Sequence, residues 1–476
     1  MFNSLTVLSD QEINAIHSAS LEILADVGVR VPQAEMLQRL ADVGAQVDFA
    51  SQTARLPADL VQGSLHQAGR QTVLYGRDRS KTARFGFGEI VTCASAGQYS
   101  WVEKIGGPRR NPTRQDLRAC IAVADGLENI TIAGAMGMPF DVPLPWRDVY
   151  MAAELVRGTL KPGHLWVAGG ASLPYILEIY EAVQGGSEQH RQYPMMAGFV
   201  EPISPLGFAR TGLEILLGCA KKGLPLNFGP MAQAGATAPV TLAATLAVEN
   251  AEICAGITMA QVVCPGLPVI YGGIPHVMDM REMLISFGSP EQGIMAVAAI
   301  QLGKYHGLPV YVNVGCGDSK LPDSQNGMER GITMMLGALA GGDLLGHMGI
   351  CGADQGSSLE QLIIDNQMIA YVKRVMRAFS VSEETLALDL IKRVGIGGNF
   401  MAEEHTVKHF RKEIWAPRGF DRRNWDAWQA DGGRSLGEWA AAEKERLLAA
   451  YQPAALEDGL AAEIERILAA SAAALG

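Results

Sequence analysis

The densest cluster of groups able to do chemistry lies in YVNVGCGDSKLPDSQNGMER, residues 311–330. An apolar alternation, Tyr311-Val312-Asn313-Val314, runs into Gly315-Cys316-Gly317. It then meets Asp318, Ser319, Lys320, Asp323, Ser324, Gln325 and Asn326. Carboxylates in such a place can move protons or face a cation, and a lysine can hold an anion. A short distance on, LLGHMGIC adds His347 and Cys351. Asp318, Lys320 and His347 are the candidate catalytic groups. Tyr99 (beside Gln98), Trp146, Glu201, Gln233, Tyr271, His276 and Asn313 end other apolar runs and are candidate substrate-binding groups. Each has a plainer reading: the aspartates as helix caps, Lys320 in an ion pair, His347 in the core, the aromatic rings as packing. There is no nucleophile elbow, H-E-x-x-H or phosphate cradle. Cys316, His347 and Cys351 could converge on a metal, but nothing in their spacing is specific, and no metal is expected.

Elements that could position these groups repeat along the chain. A short apolar run follows Pro or Gly, ends in Gly and polar residues, and gives way to an amphipathic helix. The runs are EIVTCASAG, ITIAGAM, GHLWVAGG, PMMAGFVEP, PLNFGPM, PVIYGGIP, PVYVNVG and LLGHMGI. Their spacing of roughly 30–40 residues is that of a βα unit. Thr113 with Asp116, Ser204-Pro205, Ser289-Pro290 with Gln292, and Ser357 with Glu360 read as helix starts. Eight such units predict an α/β chain built on a (β/α)₈ TIM barrel, with its site at the C-terminal strand ends. An open doubly wound sheet is the alternative. The expected organisation is a helical N-terminal segment (1–80), the barrel (81–380) and a helical C-terminal extension (381–476).

Composition narrows the function. The formal charge is −11 with no basic stripe, which argues against nucleic acid as a partner. The N-terminus has no basic and apolar leader, and no uncharged apolar run of about twenty residues reads as a membrane span. The seven cysteines are scattered without a C-x-x-C pair, which suits free thiols in a reducing cytoplasm.

Four long stretches carry a resemblance: LSDQEINAIHSASLEILADVGVRV, GDSKLPDSQNGMER, SLEQLIIDNQMI, and VGIGGNFMAEEHTVKHFRKEIWAPRGFDRRNWDAW. In them the chain resembles the trimethylamine methyltransferase family of corrinoid-dependent methyltransferases. It is similar to the branch without pyrrolysine, which includes glycine betaine methyltransferases. The resemblance implies a (β/α)₈ barrel and methyl transfer from a methylated amine to the cobalamin of a corrinoid protein docking at the barrel mouth. It implies no tightly bound cofactor, and a homo-oligomer is expected.

Leaving-group chemistry then favours a quaternary amine. A betaine attacked at methyl leaves as a neutral tertiary amine without a general acid, whereas a free tertiary amine would leave as an amide anion. Charge on nitrogen and on the nucleophile vanishes together, so a dry site helps. Tyr99, Phe140, Trp146, Trp166, Phe228 and Tyr271 are candidate faces for the cation, at roughly 0.5–2 kcal/mol per contact. Lys320, His276, His347 or Asn313 could meet a carboxylate. Glu201 facing the ammonium would instead suit a substrate without one. Glycine betaine is the first expectation, followed by proline betaine, carnitine and γ-butyrobetaine. Competing readings are direct transfer to tetrahydrofolate, zinc-dependent transfer to a thiol, and a betaine-binding sensor.

Overall fold

The computed structural model describes residues 5–476. All eight apolar runs contain parallel strands: β1 (Val91–Ala94), β2 (Ala133–Gly134), β3 (Gly163–His164), β4 (Gly198–Val200), β5 (Leu226–Phe228), β6 (Val269–Gly273), β7 (Val310–Val312) and β8 (Leu344–Met348). Each is followed by its helix: α1 (Arg114–Gly126), α2 (Arg147–Gly158), α3 (Leu173–Gln184), α4 (Arg210–Lys221), α5 (Leu242–Val263), α6 (Pro290–Tyr305), α7 (Ser324–Ala340) and α8 (Leu359–Met376). β4 through β8 pair in order, and β8 returns to β1 through Leu344–Val91 and Leu345–Thr92. That return curls the sheet round to its first strand, so the open doubly wound alternative fails and the fold is a (β/α)₈ barrel. β1 meets β2 at a bridge between Cys93 and Ile132, and β2 pairs with β3. Among the described residues no ladder joins β3 to β4, which leaves a seam in the wall.

The N-terminal end of the barrel is plugged. A hairpin of Thr72–Tyr75 and Thr82–Phe85 sends Leu74, Ala83 and Phe85 into a core with Val91, Cys93, Ile132, Ile270 and Tyr311.

Local signals explain several helix starts. Thr113 and Asp116 form a reciprocal capping box, and Ser289 accepts the N–H of Gln292. Two expected starts are not used. Ser204-Pro205 lies in a loop, and α4 opens only at Arg210, because the Ser204 hydroxyl donates to buried Glu252 over 2.7 Å. Ser357 turns its hydroxyl to the Met136 carbonyl, and Glu360 accepts the Ile105 N–H instead of capping α8.

Residues 5–80 contain helices Asp10–Asp26, Ala34–Asp42 and Ala58–Gln67. They also contain short strands, Val29–Arg30, Gln46–Asp48 and Thr53–Arg55, that a helical reading did not include. Runs this short show no period of two, and their extended form is set by partners. The decisive partner is Gly207–Phe208, paired through Arg30 to Gly207, so the N-terminal segment fixes the loop that follows β4.

Helix α5 is long and apolar enough to cross a membrane by length and composition. It carries Glu249 and Glu252, and it is covered by Asp10–Asp26, Ala58–Gln67, α4 and α6. Near the C-terminus, helix Leu436–Ala450 packs on α8 and α1, and Asp458–Leu475 packs on α3 and α2. All seven cysteines are free thiols.

Candidate active site

The β3–β4 seam opens into a cavity of about 390 Å³ at the C-terminal end of the barrel. His164, Leu165 and Trp166 line it from one side of the seam, and Ala197, Phe199 and Glu201 from the other. A second cavity of about 240 Å³ adjoins it over the barrel axis and shares Trp166, Phe199, Glu201, Met231 and His347. Gln98, Tyr99, Phe287, Asn313 and Asp354 complete its wall. Side chains alternate along a strand, so His164 with Trp166, and Phe199 with Glu201, share the inward face. That alternation, readable in GHLW and GFVE, is the signal by which His164 and Phe199 could have been found from sequence.

Two acids face this space. Glu201 makes no hydrogen bond or ion pair among the described residues. Burial pushes its carboxyl up to about 7, and the nearby Asp354 charge adds to the effect. Asp354 accepts one bond, from Gln98 Nε2 at 2.7 Å, and burial pushes it up to about 6 against that bond. It follows Ala353 on two successive left-handed residues, with φ values of 53° and 64°. That turn, strained for alanine and better tolerated by aspartate, aims the carboxylate inward. Sequence reasoning missed Asp354. Its signal was an acid among glycines, CGADQG, just past the last strand.

The imidazoles are neutral near pH 7. Burial lowers His347 to about 3, with His164 beside it contributing, and lowers His164 to about 4. Their rings stack at 5.3 Å. The His347 N–H donates to Asn313 Oδ1 over 3.1 Å, so Asn313 positions the end of β8. Neither cavity is lined by lysine or arginine.

The polar turn after β7 answers mostly for architecture. Asp318 accepts from the Ser286 hydroxyl at 2.6 Å and the Phe287 N–H at 2.8 Å, bracing the loop that carries Phe287 into the mouth. Asp323 caps α7 through the Asn326 N–H at 3.0 Å. The Gly317 carbonyl accepts the Ala353 N–H, tying this turn to the Asp354 loop. Below it, Arg330 and Asp365 form a fully buried pair at 3.0 Å. Arg330 also donates to the carbonyls of Gly315 and Ile350, and Asp365 accepts the Gly349 N–H at 2.7 Å. One ion pair thus clamps the loops after β7 and β8.

Of the candidates read from sequence, Glu201, Tyr99, Asn313 and His347 come together at the mouth. Lys320 stands exposed on the rim near Gly352. Tyr271 points outward from β6, its hydroxyl donating to Asn250 Oδ1 at 2.9 Å. His276 is buried against Phe287, donating through Nδ1 to the Ile274 carbonyl at 2.6 Å. Gln233 lies on the neighbouring short strand, its N–H held by Thr237. Trp146 packs on Tyr150 near the C-terminal helix. Phe228 is buried against Gly256 of α5. None of these six lines either cavity. An apolar run marks a strand end but not which face its last residue takes, and this separates the two groups.

The Cys316–His347–Cys351 convergence, possible in principle but not expected from the sequence, does not form among the described residues. Cys316 turns its thiol to Asn313 Oδ1 and to the backbone carbonyl of His347. Cys93, His164 and His347 do converge, with donor atoms within 4.8 Å of one another. Tetrahedral zinc, with bonds of roughly 2.0–2.3 Å, needs donors closer than that upper limit and a thiolate. Burial holds the Cys93 thiol far above its ordinary range.

An aromatic and acidic mouth on a (β/α)₈ barrel can now be set beside known proteins. The family model for trimethylamine methyltransferase (MTTB) matches residues 1–476. The chain belongs to this family. It is 32% identical over 465 residues to the trimethylamine methyltransferase MttB of Desulfitobacterium hafniense, covering 98% of this chain and 93% of that one. It is 31% identical to the Methanosarcina thermophila MttB, covering 91% of this chain and 90% of that one. It is 29% identical over 416 residues to a glycine betaine methyltransferase of Desulfitobacterium hafniense, covering 87% and 86%. The crystal structure of the Methanosarcina barkeri monomethylamine methyltransferase aligns at TM-score 0.47 with 12% identity, covering 99% of this chain and 95% of that one. Within this methyltransferase family the chain is an enzyme.

Proposed function

We propose that this methyltransferase removes one methyl group from a quaternary amine and delivers it to the corrinoid of a separate protein. The observation that carries the reading is the unpartnered Glu201 carboxylate, facing Trp166 and Phe199 in a mouth without a basic side chain. In that site the ammonium is held by aromatic faces and by the two acids. The neutral His164 and His347 do not repel it. The methyl carbon exchanges its bond to nitrogen for a bond to the acceptor, the C–N electron pair stays on nitrogen, and the amine leaves neutral. No residue has to protonate it. The acceptor, a reduced corrinoid, supplies the attacking electron pair. It would meet the mouth from outside on its carrier protein. Excluding water keeps the ammonium's charge poorly solvated, which favours the charge-dispersed transition state.

The test is a substrate-by-acceptor matrix. Each quaternary amine and its tertiary counterpart is supplied with cob(I)alamin or tetrahydrofolate. Methylcobalamin is read by absorbance and the demethylated amine by mass. One methyl should leave each quaternary amine and the tertiary product should persist. Equal turnover of trimethylamine or dimethylglycine would sink the reading, and methyltetrahydrofolate would move it to the folate acceptor.

Self-association in a cytoplasmic setting is part of the proposal. Residues 379–414 expose Phe379, Val381, Ile396, Met401, Val407 and Ile414, each more than three-fifths accessible. A second copy of the chain is the partner always present at matching concentration. Light scattering should give a mass of at least two chains, falling after Ile396→Asp with Met401→Asp.

A further inference from the structure

Which quaternary amine fits is decided by what the mouth holds besides the ammonium site. A betaine carries a carboxylate a few bonds from its nitrogen. Such a group needs a cation or several donors when it leaves water, because an unpaired buried charge is expensive. The lining supplies the opposite. Glu201 and Asp354 both face the cavity, Glu201 with no partner and Asp354 with only the Gln98 amide. No lysine or arginine lines either cavity. The bases nearest the rim are engaged or exposed. Arg109 donates to Gln355, Arg147 donates to the Val142 carbonyl and lies over Phe140, and Lys320 stands in solvent. His276 is buried, His164 and His347 are half-buried, and all three are neutral. Gln98 and Asn313 are the amides lining the cavity; Asp354 occupies the Gln98 Nε2, and Asn313 Oδ1 is taken by the His347 N–H, which leaves one neutral amide N–H, at Asn313, and no cation to meet a carboxylate. Tyr99, Trp166, Phe199 and Phe287 complete the wall with rings.

Resting on the proposed methyl transfer, we infer that the substrate is a quaternary ammonium without a carboxylate. It is a net monocation of the tetramethylammonium or choline class, taken in preference to glycine betaine and its longer relatives. Two acids then meet one cation, and any hydroxyl arm can donate to Asp354 or Glu201. A betaine would bring a third carboxylate to the same space. Methyl transfer balances as before: choline leaves as neutral dimethylaminoethanol, tetramethylammonium as trimethylamine.

The experiment is calorimetric titration of the full chain at pH 8 with tetramethylammonium, choline, glycine betaine and γ-butyrobetaine. It needs no corrinoid. The monocations should bind at least tenfold tighter than either betaine. Glu201→Gln should weaken choline at least tenfold and leave glycine betaine unchanged or tighter, and Asp354→Asn should act in the same direction. Glycine betaine binding as tightly as choline, or losing affinity alongside it in Glu201→Gln, would overturn the inference. The same ligands are then assayed for methyl transfer. Demethylation of glycine betaine in preference to choline overturns the substrate class and leaves the methyltransferase reading intact. Trimethylamine turning over while no quaternary ammonium does overturns both.

Discussion

Asp354 receives a single hydrogen bond, from Gln98 Nε2 at 2.7 Å, and shares its cavity with a Glu201 carboxylate that receives none. Two acids sharing one cavity, with no lysine or arginine in its lining, hold protons that a cation would displace. That relationship sets the pH behaviour of the protein.

Cation binding should strengthen as pH rises from about 6 to 8. Burial raises Glu201 to about 7 and Asp354 to about 6, so both are largely protonated at acid pH in the empty protein. The other titratable groups around them are His164, His347 and Tyr99 in the lining and, beside His347, the buried Tyr311 hydroxyl. The imidazoles are already neutral across this range, and the Tyr311 phenol stays protonated. The linked stability has the opposite sign. Folded carboxyls with raised pKa contribute stability that is fully present below the ordinary carboxylate range and lost as pH rises through 6 to 7. Titration at several pH values should show the affinity limb, and Glu201→Gln should remove its upper part. A flat profile in the wild-type chain would refute the assignment.

Asp318→Asn should raise KM several-fold with little change in folding stability. The side chain does not line either cavity; it holds Phe287, which does, through the Phe287 N–H and the Ser286 hydroxyl. Lys320→Met should leave turnover within about twofold, since the ammonium group stands exposed on the rim. Steady-state kinetics on purified variants decide both. A kcat loss of tenfold in Lys320→Met would return that residue to the catalytic set.

Arg330→Met should destabilise the fold by about 3–5 kcal/mol, the usual result of leaving one member of a buried ion pair unpaired. Both side chains are fully buried, and Asp365 would keep its charge opposite an apolar group. Replacing both, Arg330→Met with Asp365→Leu, should recover part of the loss. It would not restore the carbonyl contacts at Gly315 and Ile350. Denaturant midpoints at constant m-value give the comparison, and an additive double variant would contradict the pairing.

Chelation should leave methyl transfer intact, and metal analysis of protein purified without chelator should find substoichiometric zinc. Cys93 would have to surrender a proton it holds tightly before joining His164 and His347 as a ligand. One tight zinc per chain, lost with activity in Cys93→Ser, would favour transfer to a metal-bound thiol.

The sequence by itself determined the barrel. Eight apolar runs with hydroxyl caps between them state a periodicity, and each of those runs holds a strand. Local backbone preference and burial act over a few residues, so they are legible in order along the chain. The same alternation contained Phe199 with Glu201, and His164 with Trp166, on shared faces. Only the tertiary structure decided which strand-end groups meet. Tyr271 ends its run as promisingly as Glu201, yet it turns to Asn250 on the outer layer. The density of polar residues after β7 suggested catalysis, and most of them brace Phe287, cap α7 or clamp the Asp354 loop. Asp354 itself owes its place to a left-handed turn, to Gln98 some 256 residues away, and to the Gly317 carbonyl. Neither the missing β3–β4 ladder nor the absence of a base in the mouth is written in any local stretch. Both arise from long-range packing that brings distant strand ends together, and that packing sets the charge the cavity accepts.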